Sequence, residues 1–428
     1  MIYLSNYSYI CGMKKIITLI LLFVCLLTTP TANGQTYRTK VFADRIKTLL
    51  VHNSHSWNQA PVMTLDSGET ITISFDLLSP LREYYTYKVI HCDADWKISQ
   101  LSDFEYVTGL QYNHMSDYAN SFNANPDYVN YQLVFPNSSN ELLVSGNYVI
   151  EVYDENGDAV LHACFSAVEP LASVQASVSA VTDKGANTKY QAVKVEVAYG
   201  KEVRTPAQDL KVYVMQNNRY DNQAALVKPL SLQSGKAVYD HNPALIFNAG
   251  NEYRTFEMIT TQYNGLGIET IEYHSPYHHV FLKPGTNRSN RAYSFDNDLN
   301  GRVYIRSLAY EDAELQSDYH IVHFYLPCDK PFADDVYIMS DAFNNIFDYR
   351  SRMDYIAEEG GYVKSVLLKE GYYNYLFVTR KDSQSPALTS TIEGDHYQTE
   401  NEYRVMVYFR PFGQRYDRLI GVGNAQFN

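Results

Sequence analysis

Tyr84-Tyr85-Thr86-Tyr87-Lys88-Val89-Ile90-His91-Cys92-Asp93-Ala94-Asp95-Trp96 decides how this 428-residue chain is read. Apolar and polar residues alternate through a tyrosine-rich run, the period of a strand with one face packed, and an acidic turn closes on one of only two tryptophans. Working outward, the next words repeat the grammar: Phe104-Glu105-Tyr106-Val107-Thr108-Gly109, Tyr128-Val129-Asn130-Tyr131-Gln132-Leu133-Val134-Phe135-Pro136 and Ser145-Gly146-Asn147-Tyr148. Short aromatic strands punctuated by Asn, Asp, Pro and Gly predict a β-sandwich with a decorated surface.

The same period of two recurs in Thr70 to Phe75, Asn147 to Tyr153, Val193 to Val197 and Lys211 to Val214. The 39 tyrosines suit such surfaces, because the ring packs a pleat while the hydroxyl stays wet. Helical signals are confined to Phe42 to Val51, which could form one short helix, and a turn at Asp312 to Asp318. The expected fold class is all-β: consecutive immunoglobulin-like or early-set β-sandwiches with very little helix. Composition shifts place the units at 35–169, 170–285 and 286–428. The last carries a pattern similar to the early-set sandwich found beside glycan-active enzymes, with Asp341-Ala342-Phe343-Asn344-Asn345 after a strand and Gly360-Gly361-Tyr362 opening a hairpin.

Residues 1–34 read as an export signal, with translation starting at Met13. Lys14 and Lys15 form the basic region, Ile16 to Leu27 the apolar core, and Ala32-Asn33-Gly34 the cleavage site. Twelve apolar residues fall short of the roughly 20 that span a bilayer, and Cys25 is read as part of the discarded segment. The formal charge of −13 deepens once the two lysines leave, which argues against nucleic acid or anionic lipid as a partner. Three cysteines then remain, Cys92, Cys164 and Cys328. A bridge between the first two is possible, and two buried thiols are the simpler reading.

Chemistry is sought and not found: the expected catalytic, cofactor and metal sets are all empty. His320-Ile321-Val322-His323 lies in a strand pattern, where residues three apart face opposite sides. His278-His279 alternate likewise, and His91 to Asp95 has no second cluster to complete a tetrahedral site. No nucleophile elbow, zinc-protease motif or phosphate-cradling loop is present. The pairs Glu358-Glu359 and Glu400/Glu402 fit a solvated acidic surface better than a glycosidase pair.

The ordered words from Tyr84 to Tyr148, with Glu393-Gly394-Asp395-His396-Tyr397-Gln398-Thr399-Glu400-Asn401, Tyr408-Phe409-Arg410-Pro411 and Arg415-Tyr416-Asp417-Arg418-Leu419-Ile420-Gly421, resemble the type IX secretion system plug protein family of Bacteroidota. The resemblance implies a non-enzymatic periplasmic protein, soluble and peripheral to the outer membrane through its partner, and a monomer is expected. That partner would be the outer-membrane translocon barrel of the SprA/Sov type, whose periplasmic opening it would seal when no cargo is present. The chain's ending is similar to the family's own and not to a cargo sorting domain. Loops 93–99 and 112–128 are the expected docking elements, with Asp93, Asp95, Trp96, Tyr112, Tyr118 and Tyr128 as candidate interface residues. Trp96 stays open between interface and core, the core being the commoner fate of a sandwich tryptophan. The alternative from the early-set pattern is a periplasmic or surface glycan-binding protein.

Overall fold

A computed structural model describes residues 35–427 except 56 and 59; the expected export signal lies outside the described residues. The fold is all-β, with three sandwiches gathered in one compact unit that begins at Tyr37. No helix among the described residues is long and apolar enough to cross a membrane.

The amino-terminal sandwich follows directly from the alternating words. Thr86–Cys92 lies between Gly146–Tyr153 and Asn113–His114 in one sheet, completed by Ala159–Val168, Lys40–Val41 and the parallel strand Val62–Thr64. Ile46–Asn53, Ile71–Leu77, Val129–Phe135 and Asp117–Asn120 form the facing sheet. Alternate residues of Ile71–Leu77 point inward, so Ile71, Ile73, Phe75 and Leu77 are fully buried. Tyrosines supply much of this core: Phe75 stacks on Tyr131 with centroids 5.3 Å apart, and Tyr148 stacks on Phe165 at 5.5 Å. The hydroxyls of these two find acceptors, Tyr131 on the Glu83 carbonyl (2.7 Å) and Tyr148 on the Val144 carbonyl (2.6 Å). The rings therefore contribute burial, roughly 1.5–3 kcal/mol for a large side chain, without an orphaned hydroxyl to offset it.

The expected helix over Phe42 to Val51 is a strand, Ile46–Asn53. Its pairing register shifts between Lys47 and Leu50, and Thr48 has a φ of 50°. The bulge turns both Ile46 and Leu49 inward, so a spacing of three, the mark of a helix, arises within a strand. The expected turn at Asp312 to Asp318 contains one four-residue helix, Ala313–Gln316, whose first turn Asp312 caps through its side chain to the Leu315 amide.

The second and third sandwiches are not consecutive, and strand pairing cuts across the expected boundary at 285. Ala172–Ser179, Tyr190–Tyr199, Lys236–Tyr239, Ser231–Gln233 and Ile246–Asn248 make one sheet. The sheet facing it joins Leu210–Gln216 to Asn401–Phe409 and Arg418–Phe427, with Leu210 opposite Phe409 and Gln216 opposite Tyr403. Between these two halves the chain builds the other sandwich as an insertion. One of its sheets contains Arg254–Met258, Gly371–Arg380, Val303–Ile305 and Asp335–Met339; the other runs Ile268–His274, Tyr277–Leu282, Tyr319–Pro327, Gly361–Lys369, Asp354–Ile356. The polar words near residue 400 line the return from the insertion. Glu393, fully buried, receives Arg254 on both oxygens (3.0 and 2.9 Å) and Arg288 at 2.6 Å, while Asn401 donates to Gln191 Oε1 (3.0 Å) and to the Ala249 carbonyl (2.8 Å).

Candidate interface of the amino-terminal sandwich

Strand Thr86–Cys92 delivers the acidic turn against the second sandwich. The Trp96 amide donates to the Asp93 carbonyl (2.9 Å) and the Asp93 amide to the Lys97 carbonyl (2.8 Å), a tight reversal in which Trp96 takes a φ of 61°. Asp93 Oδ1 lies 2.5 Å from Arg410 Nη2; Asp417 then gathers Arg410 Nε at 2.8 Å, Lys211 Nζ at 2.7 Å and the Ala94 amide at 3.1 Å. Below it, Tyr408 donates to Asn147 Oδ1 (2.8 Å), and Arg418 forks onto both oxygens of Glu169 (2.6 and 2.7 Å). Trp96 is buried among Tyr37, Ile90, Cys92, Val149 and Cys164, with its ring edge-on to Tyr220.

A second seam joins the amino-terminal sandwich to the inserted one. Asp76 is fully buried and accepts from Lys369 Nζ (2.6 Å), Tyr319 (2.6 Å) and Asn130 Nδ2 (2.8 Å). Lys369 also donates to the Glu314 carbonyl (2.6 Å) and stands 4.1 Å from the centre of the Tyr128 ring, a cation–π contact in a dry site. Burial pushes its pKa down and the Asp76 carboxylate opposes that fall. Tyr128, 1 % exposed, donates to the Glu314 and Ser317 carbonyls.

These seams consume half of the candidate interface. Trp96 and Tyr128 are buried and Asp93 is half-buried against Arg410, so none of the three is free to meet another protein. They are interface residues of the expected types, but the interface is inside the chain. Asp95 remains exposed beside Lys97, Tyr112 is exposed with its ring 5.5 Å from Tyr153, and Tyr118 is half-buried on the edge strand Asp117–Asn120, 5.1 Å from the Arg82 guanidinium. Leu81, Tyr84, Phe104, Leu110 and Phe122 join Tyr112 in being more than half exposed on this same sandwich. None of these five was among the residues expected at the interface, and only Phe122 lies in a loop singled out from the sequence, 112–128.

His91 and Ser99 form the nearest approach to a catalytic pair, Nδ1 to Oγ 2.8 Å, but both are buried and the other ring nitrogen meets the Ser145 carbonyl at 3.2 Å. Burial pushes the His91 pKa down to about 4. Gly146, at a φ of 148°, leaves the space that ring occupies: a Cβ there would sit 2.3 Å from Nε2. Cys92 and Cys164 are free, buried thiols, with burial pushing Cys164 up to about 12. Strand Gly146–Tyr153 runs between them, and two strand spacings, roughly 9–10 Å, exceed the reach of a disulfide. Among the described residues, one group of ligand-type side chains converges: Asp318, His320 and Glu370 bring their donor atoms within 4.8 Å of one another.

Residues 46–169, the amino-terminal sandwich, match the family described as type 9 secretion system plug protein 1st domain. Nearly the whole chain is similar to the crystal structure of a hypothetical protein from Parabacteroides merdae ATCC 43184, at 41% identity and a TM-score of 0.90, over 92% of this chain and 100% of that one. A biofilm-associated protein BSP domain aligns at 7% identity with a TM-score of 0.17, over 93% of this chain and 61% of that one, too low to carry meaning. No curated protein matches. The sandwich that bears the acidic turn and the exposed aromatic loops is the one the family match covers, and the chain belongs to the type IX secretion system plug protein family.

Proposed function

We propose that the protein is the non-enzymatic periplasmic plug of the type IX translocon, binding the periplasmic opening of the outer-membrane barrel and closing it in the absence of cargo. The observation that carries this reading is the family match over the sandwich whose loops expose Leu81, Tyr84, Phe104, Leu110, Tyr112 and Phe122. Large rings with a polar tip, beside an arginine such as Arg82, are the residue types that dominate protein interfaces. Three sandwiches joined by buried contacts order little on docking, which lowers the entropic cost of binding. The task requires shape and polar complementarity and no reaction chemistry. Asp95, Tyr112 and Tyr118 stay candidate contacts; Asp93, Trp96 and Tyr128 act by holding the loops in place.

Deleting the gene should make the outer membrane leakier to vancomycin-sized solutes without abolishing secretion, because a block is lost while the motor remains. A translocon-deficient background should cancel the leak. A leak of equal size with and without the barrel would overturn the reading.

A glycan-binding role keeps one observation in its favour: the Trp57 ring stacks on Tyr304 with centroids 4.5 Å apart, and both rings are partly exposed. In the segment that follows strand Asp335–Met339 one aromatic is packed away and another, Tyr349, is exposed. Phe343 is buried, Asn344 donates to the Leu49 carbonyl (3.2 Å) and Tyr349 to Asp44 (2.8 Å).

A further inference from the structure

Histidines cluster on one sheet of the inserted sandwich. Tyr277–Leu282 runs parallel to Tyr319–Pro327, with His279 opposite Ile321. Alternation then sorts the rings by face. His279 and His323 stack outside, Nδ1 to Nε2 at 2.8 Å, and His323 passes its other nitrogen to Ser365 (2.8 Å). His320 shares the inward face with Val322, Phe324 and Leu326, at the end of the core.

His320 is 1 % exposed, and neither of its ring nitrogens has a hydrogen-bond partner. An imidazole sealed from water without partners is costly, because both polar atoms lose water and gain nothing in return. Its Nε2 points at Glu370 Oε1 from 3.5 Å, longer than an ordinary hydrogen bond. The antiparallel pairing of Tyr319 with Lys369 sets Asp318 opposite Glu370, and the Glu370 amide donates to the Asp318 carbonyl (2.9 Å). Glu370 is also buried. Two carboxylates and an imidazole thus converge within 4.8 Å on one inward-facing edge.

We propose that Asp318, His320 and Glu370 form a divalent-metal site that takes Zn2+. A nitrogen donor beside two carboxylates suits zinc and disfavours Ca2+ and Mg2+, which prefer all-oxygen shells. Zinc ligands at about 2.0–2.2 Å sit roughly 3.4 Å apart in a tetrahedron, so small side-chain rotations close the set. The ion would satisfy one His320 nitrogen and neutralise the buried Glu370. Asp318 already accepts the Asn125 amide on Oδ1 (2.7 Å), leaving Oδ2 for the ion. That bond extends the site to the loop of the amino-terminal sandwich, so bound metal would fasten the second seam. His278 stands edge-on to His320, ring centroids 5.4 Å apart, as a further donor.

The test is calorimetric titration of ZnCl2 into the mature chain after EDTA treatment and dialysis. The expected result is one tight site per chain, weakened at least about tenfold by His320→Ala and by Asp318→Asn and unchanged by His323→Ala. Asp318→Asn is isosteric and half-buried, and far-ultraviolet circular dichroism confirms that each variant is folded. Absence of binding in the wild type overturns the proposal. So does binding that survives Asp318→Asn and His320→Ala but disappears in His323→Ala, which would place the ion on the outer histidines.

Discussion

The two seams that hold the amino-terminal sandwich treat charge in opposite ways. Against the second sandwich, Asp93, Arg410 and Lys211 gather at partly exposed positions around a buried Asp417, and Arg418 and Glu169 make a separate, partly exposed fork, over an apolar layer that includes Tyr213, Met406, Tyr408 and Leu419. Against the inserted sandwich, a single pair, Asp76 and Lys369, is sealed from water and boxed by Tyr128 and Tyr319. A wet network shares its charges and tolerates the loss of one; a dry pair does not, because the surviving ion has no solvent to turn to. The first seam is built to be robust, and the second to be specific in register.

The largest expected effect tests that contrast. Lys369→Met leaves the buried Asp76 carboxyl without its cationic partner, and should cost about 3–5 kcal/mol in urea unfolding. Arg418→Met, at the wet seam, should cost about 1 kcal/mol or less. Equal costs would erase the distinction.

Acid should act on the first seam. His91 lies behind it, its ring edge-on to Tyr416 at 5.4 Å. The folded protein keeps His91 neutral down to about pH 4, with burial as the main cause, whereas the unfolded chain takes up that proton near pH 6.5. The unfolded state therefore binds more protons between those values. The contribution is complete above pH 6.5 and is lost as pH falls from 6.5 to about 4, a change of about 3 kcal/mol. His91→Gln should flatten that slope in stability measured against pH; an unchanged slope would remove His91 from the explanation.

How much of this was legible beforehand depends on distance along the chain. Strands such as Ile71–Leu77 were readable because period-two patterning is local. The bulge at Thr48 was not, since it turns Ile46 and Leu49 to one side and counterfeits a helix. The nesting of one sandwich within another was beyond local pattern altogether: Leu210–Gln216 finds its partner almost 200 residues later, at Asn401–Phe409. The candidate site fared similarly. Residue type marked Asp93, Trp96 and Tyr128 as interface formers, but type does not distinguish a partner chain from the same chain folded back. His320 and His323 were read as facing apart, and they do; their companions come from neighbouring strands that sequence spacing does not display.

A smaller effect sharpens the picture of the first seam. Tyr408→Phe removes the donor to Asn147 and should cost about 1 kcal/mol. Cys92 and Cys164 lie beneath this seam beside Trp96, so their reaction with a thiol reagent reports its opening. In the mature native protein only the half-buried Cys328 should react promptly. Tyr408→Phe should speed labelling of Cys164, and Tyr128→Phe, at the other seam, should not.

The most direct measurement concerns the partner. Tagged mature protein is incubated with detergent-solubilised outer membrane, and what it retains is identified by mass spectrometry, beside a Tyr84→Ser/Tyr112→Ser variant that leaves both seams intact. The plug reading expects one very large barrel protein, the type IX translocon, retained by the wild type and depleted by the variant. Recovery of no barrel by a folded wild-type protein would contradict it.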